Sequence, residues 1–289
     1  MLNKVLIALA ALALVVAVVC YSIQGVFTNS VSLNAFLKSA KTYDGLSMAI
    51  KEQIVSDLKT SNVAEPIQTA TGIVITPALT ESLLKPELVL LTDWLREPAS
   101  GGLSLRIDLR QFKDILADRL IADQPTLSAT QVRFATIAAV PDQVIIASGQ
   151  KDSSSMTQLL EAIKTIYIRS QQILPVAVLT ALAAIGLIVI LNIGSLGRML
   201  RRASWPFVYA GGLLVILGLV APLIVQFLFQ KTPPANTQAA QSYIAAGLVA
   251  AIAKLTLFWG YVGLASAFGG LLISSLLLRK AKKRKRRGH

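Results

Sequence analysis

Residues 175–202 read PVAVLTALAAIGLIVILNIGSLGRMLRR, a long apolar run that ends in a basic loop. An α-helix needs about 20 apolar residues to cross a hydrocarbon core of about 30 Å, because no water is present there to satisfy backbone groups. The sequence therefore predicts a mainly α membrane protein with a four-helix transmembrane bundle. The four predicted spans are residues 5–27, 175–193, 205–229 and 255–278.

The composition and the distribution of charge agree with this prediction. Hydrophobic residues make up 54% of the 289 residues and charged residues 15%, against about 45–50% and about 25% in soluble domains. All 15 acidic residues lie between Asp44 and Glu161, and residues 29–172 contain 14 of the 28 Lys and Arg residues. The net charge of +13 thus belongs to the apolar ends. Because these basic residues flank spans, nucleic-acid binding is not expected.

Basic residues near the ends of spans predict orientation, since they are retained in the cytoplasm. Lys4 precedes the first span, a basic loop joins spans two and three, and a basic tail, residues 279–289, follows span four. We expect a plasma (inner) membrane protein with both termini in the cytoplasm and residues 29–172 outside. This orientation depends on Arg198, Arg201, Arg202, Arg279, Lys280, Lys282, Lys283, Arg284, Lys285, Arg286 and Arg287.

The first span has an alternative interpretation as a cleaved signal peptide, because a short basic segment precedes it. Its apolar run is longer than the roughly 7–15 residues of a secretory signal, and we expect an uncleaved anchor over residues 1–28. Cys20 is the only cysteine. It suggests a lipoprotein, but Val19 is large where such a site needs a small residue, so a buried thiol is the better interpretation.

Residues 29–172 are predicted to form an extracytoplasmic α or α+β domain that ends in a stalk helix. Helical spacing is found over residues 31–42 and 46–58, with a core stripe in the second segment formed by Leu46, Ile50, Ile54 and Leu58. Thr76-Pro77 is a typical helix start. The helix that starts there has a stripe of leucines on one face and Trp94 near its end, which we interpret as a core aromatic residue.

The second half of this domain combines strand and helix signals. Residues 98–102 predict a turn, and residues 103–107 alternate in polarity as a strand does. Asp108 and Gln111 resemble a capping box before a helix. Its buried stripe is Leu109, Phe112, Leu116 and Leu120. Residues 72–76 and 144–147 are further candidate strands.

Residues 173–289 contain the three remaining spans and the tail. The helical pattern of the fourth span begins near Thr237, so we expect it to project beyond the bilayer as a second stalk, with Lys254 at the outer interface. The same span contains small residues at the spacing used for close helix packing, and we favour packing within the chain over packing with another chain. These helix-packing residues are Gly263, Ala267, Ser266 and Gly270.

The sequence contains few of the residues and motifs on which common catalytic sites depend. The only histidine is His289, and no phosphate-binding loop is present, so we expect neither an enzyme nor a cofactor or metal site. Asp114 and Asp118 are one helical turn apart and can in principle bind a cation, but a solvated face is favoured. The centres of the spans carry no charge, which argues against ion-coupled transport.

The order of features resembles a family of uncharacterised bacterial four-span membrane proteins with an extracytoplasmic domain between spans one and two. The matching features are the Thr76-Pro77 helix that ends at Trp94-Leu95, the Leu-Arg-Ile-Asp-Leu109 step from strand to helix, and the basic loop before Trp205. The resemblance implies an architecture, but no activity, cofactor or site residue.

We therefore expect a non-enzymatic protein whose outer domain binds a partner in the cell envelope, either another protein or a second copy of itself. The alternatives are an extracytoplasmic ligand sensor or the subunit of an oligomeric channel. A membrane enzyme that uses carboxylates or a Ser-Lys pair is a further alternative. Besides the bilayer itself, anionic lipid is an expected partner of the basic tail.

Overall fold

A computed structural model of the chain describes residues 1–39, 41–60, 64–97, 103, 105–123, 128–147, 155–231 and 236–287. Within these residues the protein is about 90% helical, with a single two-stranded sheet. The helices are α1 (Leu2–Val26), α2 (Ser30–Ser39), α3 (Thr42–Thr60), α4 (Glu65–Val74), α5 (Pro77–Arg96), α6 (Arg110–Asp123), α7 (Ala129–Ala139), α8 (Ser155–Ile190), α9 (Leu196–Lys231) and α10 (Asn236–Arg287). The strands are β1 (Leu105–Asp108) and β2 (Gln143–Ala147).

The chain divides into two compact units. The span unit consists of Met1–Gly25, Arg169–Ile224 and Ile252–His289. The domain unit consists of Val26–Ile168 and Val225–Ala251. Helices α8, α9 and α10, and α1 through its last residue, contribute residues to both units.

Four helices are long and apolar enough to cross a membrane. The candidate spans are Leu2–Val26, Leu160–Ile190, Leu196–Ile224 and Tyr243–Lys280. They overlap the four spans predicted from the sequence. The prediction of a mainly α, multi-pass membrane protein is therefore confirmed at this level.

Helix α1 is the most buried of the four apolar helices in the span unit. In its most apolar stretch 44% of the residues are buried, compared with 22%, 22% and 11% in the other three helices. One face of α1 packs Ala11 and Val15 against Ala210 and Leu214 of helix α9. The predicted buried thiol of Cys20 is also found, 7% exposed.

Helices α8 and α10 are longer than a single crossing requires. Helix α8 continues through Pro175, at the cost of the one hydrogen bond that the proline nitrogen is unable to donate. The sequence predicted a helix that led up to this proline and a span that began there. Helix α10 is continuous over 52 residues, which confirms the predicted start near Thr237 and extends the helix into the basic tail.

The two strands pair in antiparallel orientation within the domain unit. Arg106 is opposite Ile145 and Asp108 is opposite Gln143, with a bulge next to Leu105. The strands predicted near residues 103–107 and 144–147 are confirmed. The side chain of Asp108 accepts a hydrogen bond from the Arg110 amide at 2.9 Å, so it turns the chain from β1 into α6.

The strand predicted over residues 72–76 is wrong, because residues 72–74 belong to helix α4. The β-branched residues in this stretch favour a strand. However, Pro66 at the start of α4 has the backbone angle of a first helical turn, and the burial of Ile67, Ala70 and Thr71 on one face stabilises the helix. Tertiary packing therefore overrides the local propensity.

The core of the domain unit follows most of the predicted stripes. Leu46, Ile54 and Leu58 of helix α3 are buried, whereas Ile50 is half-buried. In helix α5 the Thr76 side chain accepts a hydrogen bond from the Leu79 amide at 3.3 Å, which confirms the predicted N-cap. The buried stripe of α6 is also confirmed, with exposed fractions of 0–6% for Leu109, Phe112, Leu116 and Leu120.

The segments predicted as stalk helices contribute to a second cluster in this core. Leu160 of α8 and Ile244 of α10 pack with Leu103 and Trp94. Trp94 is thus a core aromatic residue, as predicted, and the Lys164 ammonium lies 4.3 Å from its ring centroid, within the range of a cation–π interaction. The predicted turn at residues 98–102 lies outside the described residues.

Candidate functional site

The small residues predicted to pack in helix α10 lie in the span unit. Gly263 faces helix α9, since a Cβ built on it would be 3.5 Å from the Gly211 Cα. Ala267 is 1% exposed, and Gly270 lies against Ser204 of α9. Ser266 is instead exposed, and its hydroxyl donates to the Val262 carbonyl one turn earlier. Most of this face of α10 therefore contacts α9 of the same chain.

Two glycines of α9 and α10 lie close to the backbone of the facing helix. A Cβ on Gly211 would lie 2.9 Å from the carbonyl oxygen of Gly260, and one on Gly260 would lie 3.0 Å from the Val215 side chain. A side chain on Gly211 would force a shift, and one on Gly260 would displace its neighbours slightly. Glycine at both positions therefore allows the two backbones to remain this close.

The predicted topogenic residues lie at the ends of helices in the span unit. Arg198, Arg201 and Arg202 are exposed in the first turns of α9, and Arg279 and Lys280 are exposed near the end of α10. The side chains of Lys282, Lys283, Arg284, Lys285, Arg286 and Arg287 lie outside the described part of the structure, although the helix itself continues to Arg287.

The two residues of the predicted carboxylate pair of helix α6, Asp114 and Asp118, have different surroundings. Asp118 Oδ1 accepts a hydrogen bond from Arg133 Nη2 of helix α7 at 2.9 Å, whereas Asp114 is exposed. Among the described residues, no group of three or more His, Cys, Asp or Glu side chains is placed to bind a metal ion. The structure thus assigns Asp118 to an ion pair with α7.

This ion pair borders an open groove between helices α6 and α7, with a volume of about 670 Å³. Phe134 is 76% exposed and Ile137 is 56% exposed in this groove. Among the described residues, the groove is lined by Asp118, Ile121, Ala129, Thr130, Arg133, Phe134 and Ile137. We call this surface the α6–α7 groove.

The geometry of helix α7 explains why two large apolar side chains are exposed. Its buried residues are Val132 and Thr136, one turn apart, followed by Val140 at the C-cap. Residues at a spacing of about 3.6 per turn share one face, so Phe134, two residues from either neighbour, lies on the opposite face. Burial of a side chain of this size typically contributes about 1.5–3 kcal/mol of free energy. Because Phe134 is exposed, this contribution would be gained when a partner covers it.

A buried lysine holds helix α7 in place. Lys113 is 5% exposed, and its ammonium donates to the Ile137 carbonyl at 3.1 Å and to Asp142 Oδ1 at 2.5 Å. The hydrogen bond from Lys113, together with its charge, lowers the pKa of Asp142. The end of α7 and the segment before strand β2 are thereby tied to α6, so the groove is formed without a partner.

A second polar network joins helices α2, α3 and α5. The Tyr43 hydroxyl donates to Asn34 Oδ1 at 2.5 Å, and Asn34 Nδ2 donates to Glu81 Oε1 at 3.0 Å. Lys38 forms an ion pair with Glu81 at 3.0 Å. Burial, with a smaller effect of the Glu81 charge, raises the pKa of Tyr43 to about 12. The hydrogen bonds from Asn34 and Lys38 lower the pKa of Glu81.

The enzyme alternative requires a serine hydroxyl beside a desolvated lysine. Among the described residues, the two buried lysines are Lys113 and Lys164. The ammonium of Lys113 contacts a carboxylate and a carbonyl, and that of Lys164 lies over the Trp94 ring. These contacts explain the burial of both lysines by packing and ion pairing.

Helix α7 and the α6–α7 groove were not predicted from the sequence. The signal was present in the four-residue spacing of Val132, Thr136 and Val140, with Phe134 out of phase. It was missed because the helix is only 11 residues long and has apolar residues on both faces. No match to the chain was found among protein-family models, curated proteins or solved structures.

Proposed function

We propose that the protein is a membrane-anchored interaction module whose domain unit binds another protein of the cell envelope through the α6–α7 groove. The exposure of Phe134 and Ile137 in a preformed groove is the observation that supports this proposal. Adjacent exposed apolar side chains with a polar rim are typical of protein-binding surfaces. A ligand sensor would need a concave site that buries most of a small molecule, and the open form of the groove favours a protein surface instead.

The spacing of the exposed residues points to a helix of the partner. Thr130, Phe134 and Ile137 follow one another at intervals of four and three residues, which places them along one face of α7. A partner helix with apolar side chains at the same spacing can lie along this face. The Asp118–Arg133 ion pair at the rim supplies charges that select the register of the partner.

The charge on helix α7 favours a different protein over a second copy of this chain. Arg133 is the only charged residue of α7 and is next to Phe134, near the middle of the helix. An antiparallel pair of α7 helices centred on Phe134 would bring the two Arg133 side chains together. Contact between like charges disfavours such a pair, whereas a partner with a carboxylate at this point would be attracted.

The orientation in the membrane is part of the proposal. Basic residues flank the spans at Lys4, in the first turns of α9 and after α10, and such residues are retained in the cytoplasm. We infer that the protein belongs to the plasma membrane and that its domain unit faces the outside, as in the resembled bacterial four-span family.

Labelling of single cysteines in intact cells tests this orientation. In a Cys20→Ala background, Ser82→Cys and Gly194→Cys both introduce an exposed thiol, the first in the domain unit and the second in the span unit. Neither change removes a basic residue. We expect an impermeant maleimide to label the first variant only, and both variants after permeabilisation. Labelling of Gly194→Cys alone in intact cells would show the opposite orientation.

Photo-crosslinking in living cells tests the partner. A photoreactive phenylalanine analogue at Phe134 lies in the groove, and the same analogue at Val31 is a matched control, because these residues are 76% and 73% exposed in the same unit. We expect a reproducible adduct with one envelope protein at Phe134 and none at Val31.

The competing results are distinct. An adduct of the chain with itself at Phe134 would replace the proposed partner with a second copy. Adducts confined to lipid, or equal adducts at both positions, would overturn the groove as a protein-binding site. A charge reversal, Arg133→Glu, is expected to reduce the adduct at Phe134 at unchanged protein level, since it removes the charge that selects the register.

A further inference from the structure

A buried asparagine joins three helices of the span unit at one end. Asn192, which follows helix α8, is 9% exposed. Its Nδ2 donates to the Ile188 carbonyl at 2.6 Å and reaches Asn3 Oδ1 of α1 at 3.5 Å. Its Oδ1 accepts a hydrogen bond from Arg202 Nη1 of α9 at 2.6 Å. The start of α1, the end of α8 and the start of α9 are therefore linked by polar contacts.

The last span is linked to the same end of the unit. The hydroxyl of Ser274 in helix α10 donates to the Gly197 carbonyl at 2.6 Å, and the contact is buried. A Cβ on Gly197 would lie 2.7 Å from Leu278 Cγ, so α10 packs closely against the first turn of α9. All four apolar helices thus meet where α8 turns into α9.

Each of these contacts is adjacent to a basic residue. Lys4 follows Asn3, Arg198 follows Gly197, and Arg279 follows Leu278. All three side chains are exposed, as is that of Arg202, which Asn192 orients. Charge retention in the cytoplasm explains why basic residues are present here, but it does not require one of them, Arg202, to be hydrogen-bonded to the asparagine that joins the helices.

The excess of positive charge at this end is not offset within the unit. The three segments of the span unit contain no Asp or Glu, since all acidic residues in the chain lie between Asp44 and Glu161. A guanidinium group has five donors and binds phosphate through two parallel hydrogen bonds. Nη1 of Arg202 donates to Asn192, and the other nitrogens of this guanidinium group can donate to a ligand.

We propose that Lys4, Arg198, Arg202 and Arg279 form a binding site for the phosphate of an anionic lipid headgroup. The lipid is favoured over a soluble phosphate because these residues lie at or near the ends of candidate spans, which include Leu196–Ile224 and Tyr243–Lys280, and so at the depth of headgroups. The site belongs to the span unit, and its existence does not depend on the proposed partner of the domain unit.

The test uses the full chain, purified in neutral detergent, and native mass spectrometry to count retained lipids. Phosphatidylglycerol is compared with phosphatidylcholine of the same acyl chains, and glycerol phosphate represents a free phosphate. We expect phosphatidylglycerol to be retained and the other two ligands to be lost. Equal retention of phosphatidylcholine would overturn the proposal, and retention of glycerol phosphate would replace the lipid with a soluble anion.

Two triple variants separate a defined site from general attraction by the basic tail. Arg198→Gln/Arg202→Gln/Arg279→Gln removes three charges from the site, and Lys283→Gln/Arg284→Gln/Lys285→Gln removes three from the tail. Each basic residue near a membrane surface contributes about 1 kcal/mol, or roughly a fivefold change in affinity. We expect at least a tenfold weaker retention of phosphatidylglycerol for the site variant and a smaller loss for the tail variant.

Equal losses in the two variants would show general electrostatics and overturn the site. Arg198→Gln alone provides a check that does not depend on the Asn192 contact, because Arg198 is exposed and belongs to the first turn of α9. It is expected to fold normally and to weaken retention about fivefold, in line with the loss of a single surface charge. Unchanged retention in this variant would also contradict the proposal.

Discussion

The two units of the protein are packed with different kinds of residues. In the domain unit the most buried positions include Phe112, Leu116 and Leu95, each at most 1% exposed. In the span unit a close contact is made between backbones, at Gly211 and Gly260. Burial of large side chains stabilises a fold in water. Between helices in lipid this driving force is absent, and close van der Waals contact takes its place.

The distribution of ion pairs differs in the same way. The five ion pairs found among the described residues all lie in the domain unit. The span unit contains 14 basic residues and no acidic ones. The charges of the domain unit therefore serve its own fold in part, whereas the basic residues of the span unit have no acidic residue in the same unit to offset them.

The largest effect is expected for Phe112→Ala, which removes the most buried aromatic side chain of the domain unit. Such a truncation costs about 3–5 kcal/mol of unfolding free energy, because it leaves a cavity. The matched control is Phe134→Ala at a residue that is 76% exposed, where we expect almost no change. Trp94 fluorescence during denaturation, with Trp205 and Trp259 replaced by Phe, measures both. Equal effects at the two positions would contradict the assigned core.

The next largest effect is expected for Gly211→Leu in the span unit. The new side chain would overlap the α10 backbone near Gly260, and overpacking typically costs about 1–3 kcal/mol. Gly212→Leu is the matched control in the next position, since nothing lies within 4 Å of a Cβ there. Thermal unfolding in detergent, followed by Trp259 fluorescence, distinguishes the two variants. A similar loss of stability in both would contradict the glycine contact.

A smaller, pH-dependent effect is expected for Tyr43→Phe. The pKa of Tyr43 is raised to about 12 in the folded protein, against about 10 in an unfolded chain. The phenol therefore stabilises the fold fully below about pH 10, and this contribution is lost as the pH rises toward 12. Tyr43→Phe should cost about 0.5–1.5 kcal/mol at pH 7 through the lost hydrogen bond to Asn34. Its stability should also fall less steeply above pH 10.

The control for this experiment is Tyr243→Phe in the same unit. The Tyr243 residue is 38% exposed. Unfolding midpoints at pH 7, 9 and 11 provide the comparison. An equally steep decline above pH 10 in wild type and Tyr43→Phe would show that the Tyr43 phenol does not contribute.

The smallest effect is expected for Thr76→Ala, which removes the N-cap of helix α5. The cap bond to the Leu79 amide is 3.3 Å long and exposed, so we expect a loss near the lower end of the usual range, about 0.5–1 kcal/mol. Thr76→Ser should restore most of it, because the serine hydroxyl accepts the same bond. No difference between the two variants would contradict the assigned cap.

Features with a long apolar or periodic signal were predictable from the sequence. The sequence predicts the four spans, the Thr76 cap and the stripe of Phe112 and Leu116, since each depends on residues close together in the chain. The helix over residues 72–74 was not predicted, because its burial overrides a β-branched sequence. The α6–α7 groove was missed for a related reason, since exposure of Phe134 depends on how α7 packs on α6.

The sequence by itself determined the number of apolar spans, the separation of charge along the chain and the presence of a single histidine. These properties depend on composition and on local spacing. Only the tertiary structure decided which apolar residues remain exposed, which glycines allow two backbones to touch, and which arginine is hydrogen-bonded to Asn192. The physical reason is that burial, close approach and clustering depend on residues distant in the chain, whose contacts form only when the helices pack.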